Sequence, residues 1–230
     1  MTSHKLFPSA TLLVPESELE QYAHIPLEKA TVPDAVMGIS SLRNWVLKHF
    51  NEDAIIMLDD DISACVCMVS LRCRKLSIEE TVQMLSNSAY NARGAGARLF
   101  GWHQRSDPRL LQRNDPFGVN HWVGGAVGVV RDANGGVPKW DELLKCKCDI
   151  DATLQELLDN RLGWNEARFC FVQERDKNLG GNSLFRSAER IATEKRHLKR
   201  KWKAHIDFGD YKSQDRVSMS ASRRQSIALG

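Results

Sequence analysis

The sequence predicts an α/β fold, a mostly parallel sheet flanked by helices. Three observations carry that expectation. Short apolar runs alternate with helical patterns through the first half of the chain. Ala54-Ile-Ile-Met-Leu58 is apolar at every position, which is how a strand covered on both faces of a parallel sheet reads. The 230 residues are 42% hydrophobic and 27% charged, a globular composition long enough to bury a core.

The elements follow in order. Ala10-Thr-Leu-Leu-Val14 reads as a strand that stops at Pro15. Residues 38–50 place Leu42, Trp45, Val46, His49 and Phe50 at helical spacing, with Ser40 or Ser41 as N-cap. The Ala54–Leu58 strand comes next. Ser77 opens an amphipathic helix in which Glu80 completes a capping box. Strand character returns over Trp122–Val130, followed by a turn at Asp132-Ala-Asn-Gly-Gly136. Leu154 to Leu162 reads as a helix capped near Asp151, Arg168–Val172 as a short strand, and Asn178–Asn182 as a loop.

The last part differs in character. Residues 186–205 carry eight Lys or Arg against two Glu. The chain therefore divides into an α/β domain over 1–185, a basic helical segment packed on it over 186–211, and a tail over 212–230. That tail is rich in Ser, Arg and small residues and is expected to be weakly ordered.

Composition also excludes. No run approaches the roughly 20 apolar residues of a membrane span. The start has no apolar h-region, so no signal peptide is expected. The six cysteines then read as reduced thiols and small hydrophobes. Their Cys-x-Cys pairs lack the knuckle spacing of a zinc ribbon. A net charge of +3 names no partner by itself; only local clusters can.

The stretch with chemical content is Ile55-Ile-Met-Leu-Asp59-Asp60-Asp61-Ile62. A buried strand ends and three carboxylates follow. In extended chain Asp59 and Asp61 share a face. Ligands of open α/β sheets bind at the carboxyl ends of strands. Two carboxylates held together there repel, and a divalent cation resolves the conflict. Hard oxygen ligands suit Mg²⁺ or Mn²⁺, which complete their shell with phosphates and water. A diphosphate held by metal is the expected ligand. Upstream, Gly38 opens a helix whose free N–H groups favour anions, with Arg43 in its first turns.

Glycine, a helix with Arg43-Asn44, an apolar strand and then Asp59-Asp60-Asp61 resembles the first half of an inverting glycosyltransferase of the GT-A fold. More narrowly, Leu12-Leu-Val-Pro15-Glu16-Ser-Glu18 with Tyr22, Gly38-Ile39, Arg43-Asn44-Trp45 and Leu58–Ile62 is similar to the phage TET-associated glycosyltransferases. The similarity spans about Leu12 to Ser63. It resumes more loosely at Asp149–Gln155, Arg168-Phe169 and Gly180-Gly181-Asn182. The family's opening strand, whose basic loop helps hold the nucleotide base, has no counterpart in this pattern; either the sheet lacks its first strand or residues 1–9 do a reduced form of its job.

The resemblance implies a function and a site. The family is thought to transfer sugars to hydroxymethylated pyrimidines in DNA. By that likeness the donor is a UDP-sugar. The acceptor is 5-hydroxymethylcytosine or 5-hydroxymethyluracil in double-stranded DNA. The setting is the cytoplasm of a phage-infected bacterial host. Asp59 and Asp61 would bind Mn²⁺ or Mg²⁺ and the diphosphate. Asp60 would lie near the sugar, and Arg43 would contact the nucleotide sugar, with Pro15, Glu16, Gly38 and Asn44 alongside. Asp149 and Asp151 match the later acidic motif that supplies the general base; Asp151 is equally an N-cap by its place before a helix.

The basic segment adds a partner. Lys199-Arg200-Lys201-Trp202-Lys203 interleaves a tryptophan with cations, which suits phosphate neutralisation with base stacking, or equally a solvated helix face. Arg93, Arg98, His103, Arg105 and Arg109 form a second basic stretch, with Gly94 and Gly96 suggesting a flexible loop. Two other readings compete with the transferase. One is a metal-dependent nuclease or phosphoryl-transfer enzyme, in which Asp149 and Asp151 help hold a second ion. The other is a catalytically inactive GT-A-like module that binds DNA.

Overall fold

The computed structural model describes residues 3–69, 72–104, 107, 115–173, 187–209 and 216–219. The expected loop at 178–182, with Gly180, Gly181 and Asn182, lies outside these residues. So do Arg105, Arg109 and the tail apart from 216–219.

The fold is α/β, and its main sheet is mixed rather than mostly parallel. Strands β1 (Thr11–Pro15) and β2 (Glu28–Val32) pair in parallel as a separate two-stranded sheet. Helix α1 (Ile39–His49) leads to β3 (Ala54–Met57), β4 (Ile62–Val69) and β5 (Arg72–Lys75). Helix α2 (Ile78–Ala95), β6 (Leu99–His103), β7 (Phe117–Gly118) and β8 (Val127–Val130) follow. Then come α3 (Cys148–Asp159), β9 (Trp164–Gln173), α4 (Ala188–Trp202), and an antiparallel pair, β10 (Ile206–Gly209) with β11 (Arg216–Met219). The seven-stranded sheet runs β3-β8-β6-β9-β4-β5, with β7 also on β9. Within it β6 and β9 are parallel, whereas β8 runs antiparallel to both β3 and β6. A continuous apolar run reports burial on both faces but not direction. The wholly buried VGVV of β8 therefore reads the same either way.

Alternation along the strands builds two cores. Ile55 and Met57 of β3, Leu99 of β6 and Val127 and Val129 of β8 pack under α1, α3 and α4. Ile56, Phe100, Trp102 and Val130 face the opposite way, against Met84 and Ala92 of α2. β3 is thus covered on both faces, as its sequence suggests, while standing at the edge of its sheet. Burial pushes the Cys65 thiol up to about 12 and the Cys148 thiol up to about 11, so both remain neutral fillers. No helix among the described residues is long and apolar enough to cross a membrane.

The helix ends show what local sequence does and does not settle. The α2 box forms as expected. Glu80 N–H donates to Ser77 Oγ at 3.2 Å, and Ser77 N–H donates to Glu80 Oε2 at 2.9 Å. Gly94 and Gly96 are the end of this helix and its left-handed cap, not a flexible loop. Neither Ser40 nor Ser41 caps α1. Gly38 precedes its first turn, while Ser40 donates to the Leu144 carbonyl and Ser41 to Glu142. The buried stripe of α1 is Ser40, Arg43, Val46 and Leu47, and Trp45 instead stacks on His49 at 4.1 Å. Helix α3 starts at Cys148, so Asp151 lies inside it and is no N-cap. The strand expected over Trp122–Val130 is regular only from Val127. In the tail, residues 216–219 pair with β10.

One buried ion pair joins the layers. Arg98, just before β6, donates through Nε and Nη2 to the two carboxylate oxygens of Glu156 in α3, each at 3.0 Å. Glu156 is 2% exposed, and its charge is tolerable only because of that fork. Arg98 is partly exposed and also pairs with Asp132 at 3.4 Å, so Glu156→Ala is expected to destabilise the fold by about 1–3 kcal/mol in urea denaturation. The double variant Arg98→Met/Glu156→Leu should recover most of the loss. A single variant costing under about 1 kcal/mol contradicts this assignment.

Candidate functional site at the carboxyl end of the sheet

The sheet topology brings distant segments to one end. Met57, the last residue of β3, pairs with Val127, the first of β8, and Val127 also pairs with Gly101 of β6. Ile62, the first residue of β4, pairs with Gln173, the last of β9. The Asp59–Asp61 link, the Gly124-Gly125 segment before β8 and the ends of β6 and β9 therefore converge. This is the end where α/β sheets hold ligands.

Asp59 and Asp61 are partly buried, and Asp60 is exposed. Gln173 donates through Nε2 to Asp59 Oδ2 at 3.0 Å and fixes that carboxylate. Oδ1 of Asp61 is shielded from water. Beside them lies a cavity of about 10 Å³ lined by His103, Gln104, Gly124, Gly125, Phe171 and Gln173. That is room for one water-sized group.

Arg43 occupies the floor of this region. It is 5% exposed and donates through Nη2 to the Gly125 carbonyl at 3.1 Å. Its guanidinium lies 5.6 Å from the Trp140 ring centre, and its Nε–H is buried without a hydrogen-bond partner. Gly125 sits at φ +65°, a left-handed conformation that presents its carbonyl to the guanidinium at little steric cost. Neighbouring Asn44 grips the same floor segment. Its Nδ2 donates to the Trp140 carbonyl at 2.9 Å, and its Oδ1 accepts from the Trp140 N–H at 3.0 Å. Asn44 thus fixes the segment under Arg43.

Asp149 enters from the first turn of α3 and is partly buried. A Cβ on Gly124 would stand 2.9 Å from Asp149 Oδ2, so only glycine lets the carboxylate come this close to the 124–125 segment. Burial raises the Asp149 pKa above the ordinary carboxylate value. The Arg43 charge opposes that rise, as does the Ile150 N–H, which donates at 2.9 Å.

Asp151 has a different fate. It is 0% exposed, and both oxygens are taken. Trp202 Nε1 donates at 2.7 Å, Lys201 Nζ stands at 2.8 Å, and Gln155 Nε2 donates at 2.7 Å. Asp151 is thus the socket into which the end of α4 plugs, and Asp149 is the carboxylate left facing the sheet end. The same contacts correct the reading of the basic cluster. Lys201 Nζ and the Trp202 indole N–H are both directed at Asp151, and the Trp202 ring is partly buried. Lys199, Arg200 and Lys203 are exposed, with Lys199 3.4 Å from Asp207. Of the second basic stretch, Arg98 is spent on Glu156, and Arg93 pairs with Asp53 at 3.0 Å.

The remaining expected residues lie apart. Pro15 and Glu16 are exposed at the end of β1, in the separate sheet. Gly38 lies under the Lys145 side chain, whose Nζ donates to the Met37 carbonyl at 2.8 Å. Sequence reasoning missed Gln173 and Glu194. Glu194 of α4 is 3% exposed and accepts the backbone N–H groups of Lys145, Cys146 and Lys147 at 2.9, 2.9 and 3.0 Å. It caps the turn that delivers Asp149. A buried glutamate in a basic helix was the available signal. Compared with family models, curated proteins and solved structures, the chain matches none.

The raised Asp149 pKa has a signed consequence. The folded state binds this proton more tightly than the unfolded chain, where Asp titrates near about 3.9. Stability from this group is full below that pH and is lost as pH rises through the folded value. Asp149→Asn removes the dependence. Its urea midpoint relative to the parent protein is expected to improve as pH rises from about 4 to 7. A difference that stays constant over that range contradicts the assignment.

Proposed function

We propose that this chain is a metal-dependent glycosyltransferase. It moves a sugar from a UDP-sugar to the hydroxymethyl group of 5-hydroxymethylcytosine or 5-hydroxymethyluracil in double-stranded DNA, within a phage-infected bacterial cell. The supporting observation is that the loop after β3, which carries Asp59 and Asp61, and the Gly124-Gly125 segment, against which Asp149 packs, lie at the same end of the sheet, and that burial raises the Asp149 pKa. The likeness of the segments around Arg43 and Asp59–Asp61 to TET-associated glycosyltransferases supplies the sugar donor and the acceptor.

Asp59 and Asp61 would offer two hard oxygen ligands; among the described residues no group of three or more His, Cys, Asp or Glu side chains gathers to hold a metal ion. Two carboxylates leave the remaining positions to phosphate oxygens and water, which suits Mn²⁺ or Mg²⁺. When bound, such an ion offsets the negative charge on a departing diphosphate.

The chain's own groups do the rest. The buried Nε–H of Arg43 is a donor in reserve for a substrate oxygen. Asp149 accepts the proton of the acceptor hydroxyl while that oxygen bonds to the anomeric carbon. The bond from that carbon to the diphosphate breaks, and its electron pair leaves with the nucleotide. A carboxylate with a raised pKa is a stronger base than an ordinary one, and it must be ionised to act. The exposed cations Arg196, Lys199 and Arg200 of α4 lie along one helix face, with Lys203 exposed just beyond its end, and suit DNA phosphates. The nuclease reading is weaker because Asp151, one of its two second-ion candidates, is saturated by Trp202, Lys201 and Gln155, which leaves Asp149 alone.

Thermal shift with UDP-glucose and Mn²⁺ tests the reading. A rise in Tm is expected only when both are present, equivalent to about 2.7 kcal/mol at a hundredfold excess over Kd. Asp59→Ala and Asp61→Ala should each abolish both the shift and sugar transfer to hydroxymethylated DNA, measured by nucleoside mass spectrometry, while the ligand-free Tm is kept. Transfer retained in both variants overturns the metal assignment. Absence of any shift across a panel of sugar nucleotides, with metal-dependent cutting of DNA, points to the nuclease. DNA binding without either activity points to the inactive module.

A further inference from the structure

The chain has six tryptophans, all among the described residues, and five are buried or partly buried. Trp122 alone is exposed, at 40%. An indole left in water forgoes the burial that normally makes this side chain worth carrying. Its location is specific. The point where a Cβ on Gly124 would sit is 2.8 Å from Trp122 Cζ2, 2.9 Å from Trp122 Cε2 and 2.9 Å from Asp149 Oδ2. The edge of the exposed ring and the Asp149 carboxylate are neighbours across a gap kept open by a missing side chain.

The segment carrying the ring is anchored from beneath. Val123 is 1% exposed, and its N–H donates to Thr153 Oγ1 of α3 at 3.1 Å. Thr153 in turn donates to the Asp149 carbonyl at 2.8 Å. The ring and the carboxylate are therefore held by the same turn of α3. An exposed aromatic face registered to a base is suited to hold a flat ring whose substituent must reach that base.

We propose that Trp122 is the acceptor platform of this site, its indole stacking on the pyrimidine that bears the hydroxymethyl group and presenting that hydroxyl to Asp149. The proposal rests on the transferase reading and adds to it a residue and a subsite. It fits a nucleobase presented outside the duplex stack, because a base still stacked between its neighbours has no free face. The indole selects for a π-face and not for a particular base, and Asp149 selects for the hydroxyl. The cations of α4 supply affinity without sequence preference.

The test titrates a short duplex containing one hydroxymethylpyrimidine into full-length protein and, separately, UDP-glucose with Mn²⁺. Trp122→Ala is expected to weaken duplex binding and raise the duplex KM roughly tenfold or more, the usual consequence of losing one stacked base. The UDP-glucose shift should be unchanged, and Trp122→Phe should restore most of the duplex affinity. Gly124→Ala, which fills the gap and removes neither group, should lower kcat while the UDP-glucose shift persists. Unchanged duplex binding by Trp122→Ala, in a protein that transfers sugar, overturns the platform and leaves the transferase standing. Loss of UDP-glucose binding in Trp122→Ala, with duplex affinity kept, overturns it by placing the ring under the donor. No response of the parent protein to any of a panel of sugar nucleotides with Mn²⁺ overturns both.

Discussion

The sheet end is organised by a charge placed where charges are costly. Arg43 lies on the buried stripe of α1, and a guanidinium can stay there only if its surroundings answer it. The answers are the Gly125 carbonyl at 3.1 Å, the Trp140 face at 5.6 Å and the nearby Asp149 carboxylate. Each comes from a different segment. Satisfying one arginine thereby fixes the loop before β8, the segment before α3 and the first turn of α3 relative to one another. The same arrangement sets the electrostatics: Arg43 opposes a rise in the Asp149 pKa that burial would otherwise drive further.

Helix α4 plays the complementary part from outside. Its sequence is among the most basic in the chain, yet the contacts that seat it run through one buried acid and two inward groups. Glu194 ties down the three N–H groups before α3, and Lys201 and Trp202 close on Asp151. His197 and Lys201 also hold Asp141 at 3.0 and 3.2 Å. The helix clamps the turn carrying Asp149 and leaves Lys199, Arg200 and Lys203 outward. A single amphipathic helix thus joins the proposed base to the proposed DNA face.

Much of this was legible in the residues, and the failures have physical causes. The capping box of α2 is local and formed as written. The acidic triplet does follow a strand, but that strand is an edge strand whose apolar residues are only partly buried, because one of its sides has no neighbouring strand. Strand direction was not legible, because Val127–Val130 is equally apolar for a parallel or an antiparallel neighbour. The α1 stripe was displaced because an arginine holds one of its inward positions, and periodicity counts an arginine as outward. Asp151 before Ala-Thr-Leu-Gln has the local look of a cap. Its true role depends on Trp202, 51 residues away, a separation that no window along the chain can span. Trp122 was masked by its neighbours, since a tryptophan in an apolar run reads as core.

The account stands or falls on where a nucleotide-bound cation goes. The most direct measurement is an anomalous difference map from crystals grown with UDP and Mn²⁺. It should show one manganese peak bounded by the Asp59 and Asp61 carboxylates, with the diphosphate reaching toward the 124–125 segment. A manganese and nucleotide bound elsewhere, with Asp59 and Asp61 facing only water, would contradict it.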